Sequence, residues 1–324
     1  MKYRLAILGA GSIAHDMGET VQKTDIVEGY AVASRDLGRA EELARQYGFT
    51  KAYGSYEEML ADPQVDLVYI ATPHVFHARQ IRQCLEAGKH VLCEKAFTIN
   101  ASQARAVTAL AREKGLLLAE AIWPRYMPMA RVLRDFAASD QIGRIYGLTA
   151  NLGYPVYHRE RLHQRELGGG ALLDVGIYPL TFASLILGDE VTQIRSQVDL
   201  SDTGVDRTNQ ILLTYASGAQ ASIFDTIAGP TDREGVIYGE KGYATVGNVN
   251  NYQYLRIYDA AHKLQEEILC PPQVTGYEYE LQACVEAMDK GWTECPDAPH
   301  AMSITMMELM DAIRSQWGLE YPEL

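Results

Sequence analysis

The chain has 324 residues, of which 47% are hydrophobic and 22% charged, and its formal net charge is -13 at pH 7. The length allows one large or two ordinary domains, and the acidic balance argues against nucleic acid or an anionic membrane as a partner, since both require a basic surface. Five cysteines without a CxxC pair are typical of reduced thiols, so we expect a cytoplasmic protein. We expect no apolar run to span a bilayer, and the run after Met1 is too short for a signal peptide.

A glycine-rich motif follows the first predicted strand. The apolar run Arg4 to Leu8 predicts a short buried strand, which leads into Gly9-Ala10-Gly11-Ser12-Ile13-Ala14. This segment matches the G-x-G-x-x-A fingerprint of dinucleotide-binding domains. The first glycine permits a tight turn and the second lets the backbone approach a pyrophosphate, while amides at the start of the helix face the phosphates. The candidate cofactor-binding residues of this motif are Gly9, Gly11, Ser12 and Ile13.

Strand and helix patterns alternate through the N-terminal third of the chain. Further strands are predicted at about 30–33, 51–53, 65–71, 91–93 and 116–119. The helices between them end near residues 47, 87 and 114. A capping box over 55–58 predicts the start of one further, short helix. Such repetition is typical of the α/β class with a doubly wound parallel sheet. We place this dinucleotide-binding Rossmann domain at residues 1–121.

The end of the second strand bears on the choice between NAD and NADP. NAD-binding domains place an acidic residue there for the ribose 2′-hydroxyl, whereas NADP-binding domains use a small polar residue and an arginine. This chain has Ser34 and Arg35 at that point, with Arg39 one helical turn further on. Asp36 fits the N-cap of the next helix better than a ribose ligand. The pattern favours NADP over NAD, and a solvated surface arginine is the alternative explanation of Arg35.

The fourth strand ends in a loop expected to lie under the nicotinamide. Carboxyl ends of parallel strands line the ligand crevice of such sheets. The candidate cofactor contacts here are Ala71, Thr72, Pro73 and His77. We predict no metal site, because the two histidines of this segment have no cysteine or carboxylate at a matching spacing.

Charged and aromatic residues follow the fifth and sixth strands. The fifth strand ends in Glu94 and Lys95, both candidate cofactor contacts, at a place where strand interiors exclude charge. A lysine there can polarise a substrate carbonyl or lower the pKa of a nearby phenol, and a surface ion pair is the alternative. After the sixth strand, Trp123 is a candidate wall of the substrate and cofactor pocket, although core packing also explains it. Arg125 is a candidate contact of the cofactor or of a carboxylate in the second domain.

The second part of the chain, residues 122–324, has a different pattern. Short β-rich runs separated by Gly or Asp turns predict an α+β domain with a large, open, mostly antiparallel sheet. These runs lie at about 145–152, 191–198, 210–215, 219–226, 233–238, 244–246, 252–258 and 263–269. Two helices, at about 277–290 and 299–315, close the chain and could pack back on the first domain. We interpret this region as the substrate-binding and oligomerisation domain.

One predicted helix of this domain carries two polar groups in an apolar run. After the glycines at 168–170, Asp174 and Tyr178 stand four residues apart and so share one helix face. A carboxylate beside a phenol suggests a proton-handling site, and a core tyrosine satisfied by its neighbour is an equal alternative. The polar and basic segment 154–165 could close over a substrate through Tyr154 and His158, or be a solvated loop.

Taken together, these motifs resemble the glucose–fructose oxidoreductase, inositol dehydrogenase and MocA-type oxidoreductases over the whole chain. The matching segments are the glycine motif at 9–14, Ala71-Thr-Pro73, Glu94-Lys95 and Gly168 to Gly176. The segments 33–36, 120–123 and 176–178 are similar to the branch of dimeric dihydrodiol dehydrogenase and NADP-dependent xylose dehydrogenases. The family motif usually reads Glu-Lys-Pro, whereas this chain has Ala96 in place of the proline.

The resemblance implies an NADP-dependent oxidoreductase that transfers a hydride between the nicotinamide and a secondary alcohol or carbonyl of a sugar or vicinal diol. It implies that Lys95, Asp174 and Tyr178 are catalytic and bind substrate, with Tyr178 as general acid and base, Lys95 lowering its pKa and Asp174 orienting the lysine or the substrate. It also implies a homodimer or homotetramer that assembles through the open sheet. The alternatives are an inositol or amino-sugar dehydrogenase that uses NAD, and an NADP-binding sensor without catalysis.

Overall fold

The computed structural model describes residues 2–322, which form two compact units. The first unit contains residues 2–126 and 273–304, and the second contains 127–272 and 305–322. The first unit thus extends through residue 126, whose hydroxyl donates to the Glu120 carbonyl at 2.8 Å. Residues 273–304, which the sequence-based division assigns to the second domain, return to the first unit.

A parallel six-stranded sheet forms the centre of the first unit. Its strands are β1 (Arg4–Leu8), β2 (Glu28–Ala33), β3 (Lys51–Tyr53), β4 (Leu67–Ile70), β5 (His90–Glu94) and β6 (Leu118–Ala121), in the order β3-β2-β1-β4-β5-β6. The helices of this part of the chain are α1 (Ser12–Lys23), α2 (Leu37–Tyr47), α3 (Tyr56–Leu60), α4 (His77–Glu86) and α5 (Ala101–Lys114). The predicted doubly wound α/β fold is confirmed, and the strand order reverses between β1 and β4, where such folds bind their ligands.

Local capping signals mark the starts of α2 and α3. The Asp36 side chain accepts from the backbone N–H of Arg39 at the start of α2, and Ser55 accepts from that of Glu58 at the start of α3. Both caps are predicted from the sequence, and each satisfies an amide that the first helical turn leaves without a partner.

An eight-stranded sheet forms the centre of the second unit. Its strands are β7 (Ile145–Gly153), β8 (Val191–Leu200), β9 (Asp206–Tyr215), β10 (Gln220–Thr226), β11 (Gly235–Gly239), β12 (Gly242–Gly247), β13 (Tyr254–Asp259) and β14 (Leu264–Leu269), in the order β14-β13-β12-β11-β7-β10-β9-β8. Only β7 and β10 pair in parallel, so the predicted, mostly antiparallel sheet is confirmed.

The helices of the second part of the chain include two that the sequence did not predict. They are α6 (Pro128–Ala137), α7 (Glu160–His163), α8 (Ile177–Leu187), α9 (Glu278–Asp289) and α10 (His300–Ser315). The two missed helices are the short α7 and α6, which starts at a proline and buries Met129, Leu133 and Phe136. The apolar residues of α6 recur at helical spacing and form one buried face.

A π-helical turn, Leu172–Gly176, precedes α8, so Asp174 lies in a widened turn rather than in the regular α-helix that we expect from sequence. The helical stretch Arg165–Leu187 is long and apolar enough to cross a membrane by length and composition, which corrects our expectation that no run reaches this length. Its most apolar window is 89% buried within the protein, as is typical of a core helix.

Candidate active site

The glycine motif forms a turn that only glycine can occupy at its first position. Gly9 has φ +106°, and a Cβ there would lie 2.7 Å from the carbonyl oxygen of Ala71 at the end of β4. The first helical residue, Ser12, is exposed, and Gly11 and Ile13 are half-buried. The amides at the start of α1 are therefore accessible and have no side-chain cap, so this turn fits a pyrophosphate.

A polar and basic group of residues surrounds the end of β2. Ser34 is nearly buried and its Oγ accepts from the backbone N–H of Asp36 at 3.2 Å. The Arg39 guanidinium donates to the Ala10 carbonyl at 2.5 Å, which ties it to the glycine motif. Burial raises the pKa of the Tyr56 phenol, and the positive charges of Arg35 and Arg39 oppose that rise. Both arginines therefore lie near Tyr56, and the Asp36 carboxylate is engaged as a helix cap.

His77 joins two loops, and its expected contact with the cofactor stays a prediction. Its side chain has no exposed surface, with Nδ1 2.9 Å from the Ala96 carbonyl and Nε2 2.8 Å from the Thr72 carbonyl. The imidazole thus joins the loop after β4 to the loop after β5. Thr72 and Pro73 keep accessible surface, and Ala71 is nearly buried, so a cofactor can reach this loop without touching the histidine.

Lys95 lies at the carboxyl edge of the parallel sheet, directly after β5. Its backbone N–H donates to Glu94 at 3.2 Å, and the same carboxylate accepts from the hydroxyl of the buried Tyr69. The peptide bond between Lys95 and Ala96 is cis. The lysine is half-buried, whereas Glu94 is only 6% exposed. The pair is therefore part of a buried polar cluster and not a surface ion pair.

Glu120, at the neighbouring strand end on β6, belongs to the same cluster. Burial raises the pKa of its carboxyl to about 7, and the negative charge of Glu94 adds to this rise. Hydrogen bonds from Ser303 and the Phe97 backbone lower the pKa, as does the positive charge of Lys95. The Ser303 hydroxyl donates to Glu120 at 2.5 Å. Sequence reasoning did not single out Glu120, although a carboxylate inside an apolar strand was the available signal.

An aromatic stack follows β6. Trp123 is 8% exposed and lies against Tyr277, with ring centroids 4.8 Å apart and planes 13° apart. Sequence reading missed Tyr277, because it comes from a distant segment that folds back into the first unit. Arg125 donates to the Asp297 carbonyl at 3.2 Å, and its contact with a cofactor or with a carboxylate of the second domain stays a prediction.

In the second unit, Asp174 and Tyr178 are nearly buried, at 6% and 8% exposure. Both terminal nitrogens of Arg161 lie 3.0 Å from Asp174 Oδ1. Such a bidentate pair holds the carboxylate in one orientation. Arg161 belongs to α7 within the segment 154–165, so this part of the segment is packed rather than solvated. The basic character of the segment was the only sequence signal for this contact.

The other predicted substrate residues have separate environments. The Tyr154 hydroxyl donates to Asn250 at 3.2 Å and accepts from Arg233 at 3.3 Å, and the Arg233 guanidinium lies over its ring. His158 is exposed. A substrate-binding role for either residue stays a prediction. Within residues 2–322, no group of three or more His, Cys, Asp and Glu side chains has the arrangement of a metal site.

Known proteins resemble this chain over its full length. Residues 3–121 match the family model described as an oxidoreductase family with an NAD-binding Rossmann fold, and residues 130–245 match the GFO/IDH/MocA C-terminal domain. The chain is 35% identical to trans-1,2-dihydrobenzene-1,2-diol dehydrogenase of Mus musculus and 34% identical to that of Homo sapiens. Each comparison covers 100% of this chain and 99% of the relative.

Solved structures agree with this assignment. KijD10, a 3-ketoreductase from Actinomadura kijaniata in complex with NADP and TDP-benzene, is 28% identical with a TM-score of 0.89, over 97% of this chain and 98% of that chain. An aldose-aldose oxidoreductase from Caulobacter crescentus is 21% identical with a TM-score of 0.88, over 100% of both chains, and supports the fold alone. The chain therefore belongs to the GFO/IDH/MocA family of oxidoreductases, and its first unit is the NAD(P)-binding Rossmann domain of that family.

Proposed function

We propose that this oxidoreductase uses NADP to oxidise a secondary alcohol of a sugar or vicinal diol, or to reduce the corresponding carbonyl. The observation that carries the proposal is Lys95 at the carboxyl edge of the parallel sheet, in a cluster with the carboxyl groups of Glu94 and Glu120. The dihydrodiol dehydrogenases named above are similar over the full length, and the 3-ketoreductase was solved with NADP, which supports this substrate class and cofactor.

In this proposal each unit contributes its own residues to proton handling. A bound nicotinamide supplies or takes up the hydride. The Tyr178 phenolate takes the proton of the substrate hydroxyl during oxidation, and the resulting phenol returns the proton during reduction. The Lys95 ammonium stabilises negative charge on the substrate oxygen and lowers the pKa of the phenol. Asp174, held by Arg161, orients the lysine or the substrate hydroxyl.

The residues at the end of β2 support NADP rather than NAD. Ser34 can donate to a 2′-phosphate and Arg35 can pair with it, while the Asp36 carboxylate accepts from α2 as its cap. We expect Arg35→Ala to lower the ratio of kcat/KM with NADP to that with NAD by about 10- to 100-fold, because one charged hydrogen bond is lost. Arg45→Ala, at the exposed far end of the same helix, is the matched control and should leave the ratio unchanged. Wild-type preference for NAD would contradict this assignment.

The direct test of the proposed function is turnover by the purified protein. Trans-dihydrodiols, aldoses and inositols would be supplied with NADP or NAD at mildly alkaline pH, and reduced cofactor would be followed by absorbance. NADP-linked turnover of a diol or aldose is the expected result. NAD-linked turnover of an inositol would favour the first alternative, and tight NADP binding by fluorescence without turnover of any substrate would favour a sensor.

We further propose that copies of the chain assemble as a homodimer or homotetramer through the open face of the eight-stranded sheet. Tyr146 and Leu212 on this sheet are 52% and 50% exposed, and a groove of about 410 Å³ is lined by residues of β7, β8, β9 and β10. Exposed apolar side chains that cluster on one sheet face favour its burial against another protein surface. Light scattering should show an oligomer that Leu212→Glu weakens and Val274→Glu, equally exposed in the first unit, does not. A monomeric wild type would contradict the proposal.

A further inference from the structure

Two carboxyl groups without exposed surface lie against the turn that carries Asp174. Asp206 is the first residue of β9, and Asp225 lies on β10. Asn209, the cross-strand neighbour of Asp225, donates through Nδ2 to Asp206 Oδ2 and to Asp225 Oδ1, both at 2.7 Å. One amide group therefore joins two buried carboxyl groups within the second unit. We call Asp206, Asn209 and Asp225 the carboxyl triad.

The triad holds the beginning of the π-helical turn. The backbone N–H of Leu172 donates to Asp206 Oδ2 at 2.6 Å. Gly170 has φ +121°, and a Cβ there would overlap Asp206 Oδ1. This position therefore requires glycine for the Asp206 carboxylate to lie against the backbone. The Tyr321 hydroxyl donates to the Gly169 carbonyl at 2.6 Å, which adds a second contact that holds the glycine segment 168–170.

The triad also contacts the end of the same turn. A Cβ on Gly176 would lie 3.0 Å from the carboxyl carbon and from Oδ2 of Asp225, so this carboxyl group packs directly on the glycine backbone. Gly176 stands between Asp174 and Tyr178 in the chain. Asp206 and Asp225 thus contact the two ends of the turn Leu172–Gly176. The side-chain amide of Asn209, which donates to both, sets the distance between the two carboxyl groups.

Burial raises the pKa of both carboxyl groups, but their hydrogen bonds and neighbouring charges differ. Burial raises the pKa of Asp225 well above its usual range, and the charge of Asp206 raises it further. Burial raises the pKa of Asp206 as well, but hydrogen bonds from Asn209 and the Leu172 N–H and the charge of Arg314 oppose that rise. Asp206 is therefore the more readily ionised of the two, because it accepts the Leu172 N–H and lies near Arg314, whereas the charge of Asp206 disfavours ionisation of Asp225.

We propose that the carboxyl triad is a positioning site, which fixes the π-helical turn and thereby the placement of Asp174 and Tyr178 for proton transfer. A π-helical turn is rare and is often found at functional sites, and here tertiary contacts hold both of its ends. Proton transfer requires the donor and acceptor within hydrogen-bond reach, so a small shift of the turn lowers the rate. The kinetic consequence rests on the proposed function, whereas the structural part does not.

The test compares two isosteric variants that the geometry separates. Asp206→Asn removes the carboxylate acceptor of the Leu172 N–H, and we expect kcat to fall by about 100-fold with NADP binding by fluorescence unchanged. Asp225→Asn keeps the shape of the side chain that packs on Gly176, and should keep most of the turnover. Hydrogen exchange of the peptide covering 171–187 should become faster in Asp206→Asn and stay protected in Asp225→Asn.

The control separates positioning from general loss of stability. Ile257→Ala creates a cavity in β13, four strands from β10 in the same sheet, and should lower Tm without lowering kcat or exposing peptide 171–187. Equal effects of Asp206→Asn and Ile257→Ala on kcat and exchange would overturn the proposal, as would greater damage from Asp225→Asn. If the wild type turns over no substrate, the proposed function fails, and the exchange of peptide 171–187 still decides the positioning proposal.

Discussion

The two units place their candidate cofactor-binding and catalytic residues by different physical means. In the first unit, Gly9, Ser34 and Lys95 directly follow parallel strands, and the carboxyl ends of such strands meet at one edge of the sheet. In the second unit, Asp174 and Tyr178 belong to a π-helical turn and the helix after it, where side chains distant in sequence hold them. Regular α/β topology brings local sequence signals together, whereas a widened helical turn depends on tertiary partners.

The largest expected effect tests the second unit. Tyr178→Phe removes only the phenolic hydroxyl, so we expect kcat to fall by about 10²–10⁴-fold, the usual contribution of general acid–base catalysis. Steady-state kinetics with the substrate found in the turnover panel would measure this loss. Tyr258→Phe, on β13, removes the same atom elsewhere in the unit and should have wild-type kcat. Unchanged turnover in Tyr178→Phe would assign the tyrosine to the core.

The corresponding change in the first unit is Lys95→Met. Loss of the ammonium group should lower kcat by about 10²–10³-fold, because charge on the substrate oxygen is no longer stabilised. NADP affinity should change far less, as fluorescence titration would show. Lys114→Met, at the exposed end of α5, serves as the comparison. Retained turnover in a folded Lys95→Met protein would count against the proposed mechanism.

A pH-dependent effect of intermediate size is expected at Glu120. Its pKa of about 7 lies above the unfolded value of about 4.3, so the folded state keeps a proton that the unfolded state releases between these pH values. The free energy of unfolding should therefore fall as pH rises across this interval, by about 2–3 kcal/mol from this carboxyl. Urea unfolding at pH 5 and pH 8 should show a smaller fall for Glu120→Gln than for the wild type. The exposed Glu113→Gln should behave like the wild type, and equal slopes in all three proteins would refute the assignment.

The smallest expected effect concerns a local signal of the first unit. Asp36→Ala removes the cap of α2 and should cost about 1 kcal/mol of stability, because one amide of the first turn loses its acceptor. Urea unfolding at pH 7 would measure the loss, with Asp36→Asn as the capping-competent control. Should Asp36→Ala also raise the preference for NADP, the carboxylate would contribute to cofactor choice as well as to capping.

The parts of the fold that could be predicted depend on interactions between residues close together in the sequence. The parallel strands, the capped helices and the antiparallel sheet are confirmed, because apolar periodicity and caps act within a few residues. The helix α6 was missed, since the proline at its start is also typical of a loop. The burial of His77 was not predictable, because the sequence shows the histidine but not the two carbonyl groups that it contacts in the fold.

The sequence by itself determined the fold class, the dinucleotide motif and the identity of the groups proposed for catalysis, because these depend on residue type and short spacing. Only the tertiary structure decided which groups are buried and paired: Arg161 with Asp174, Glu120 in the Lys95 cluster, and the carboxyl triad on the turn Leu172–Gly176. Burial and long-range hydrogen bonds set the charge of a carboxyl group, and both arise only when segments far apart in the chain pack together.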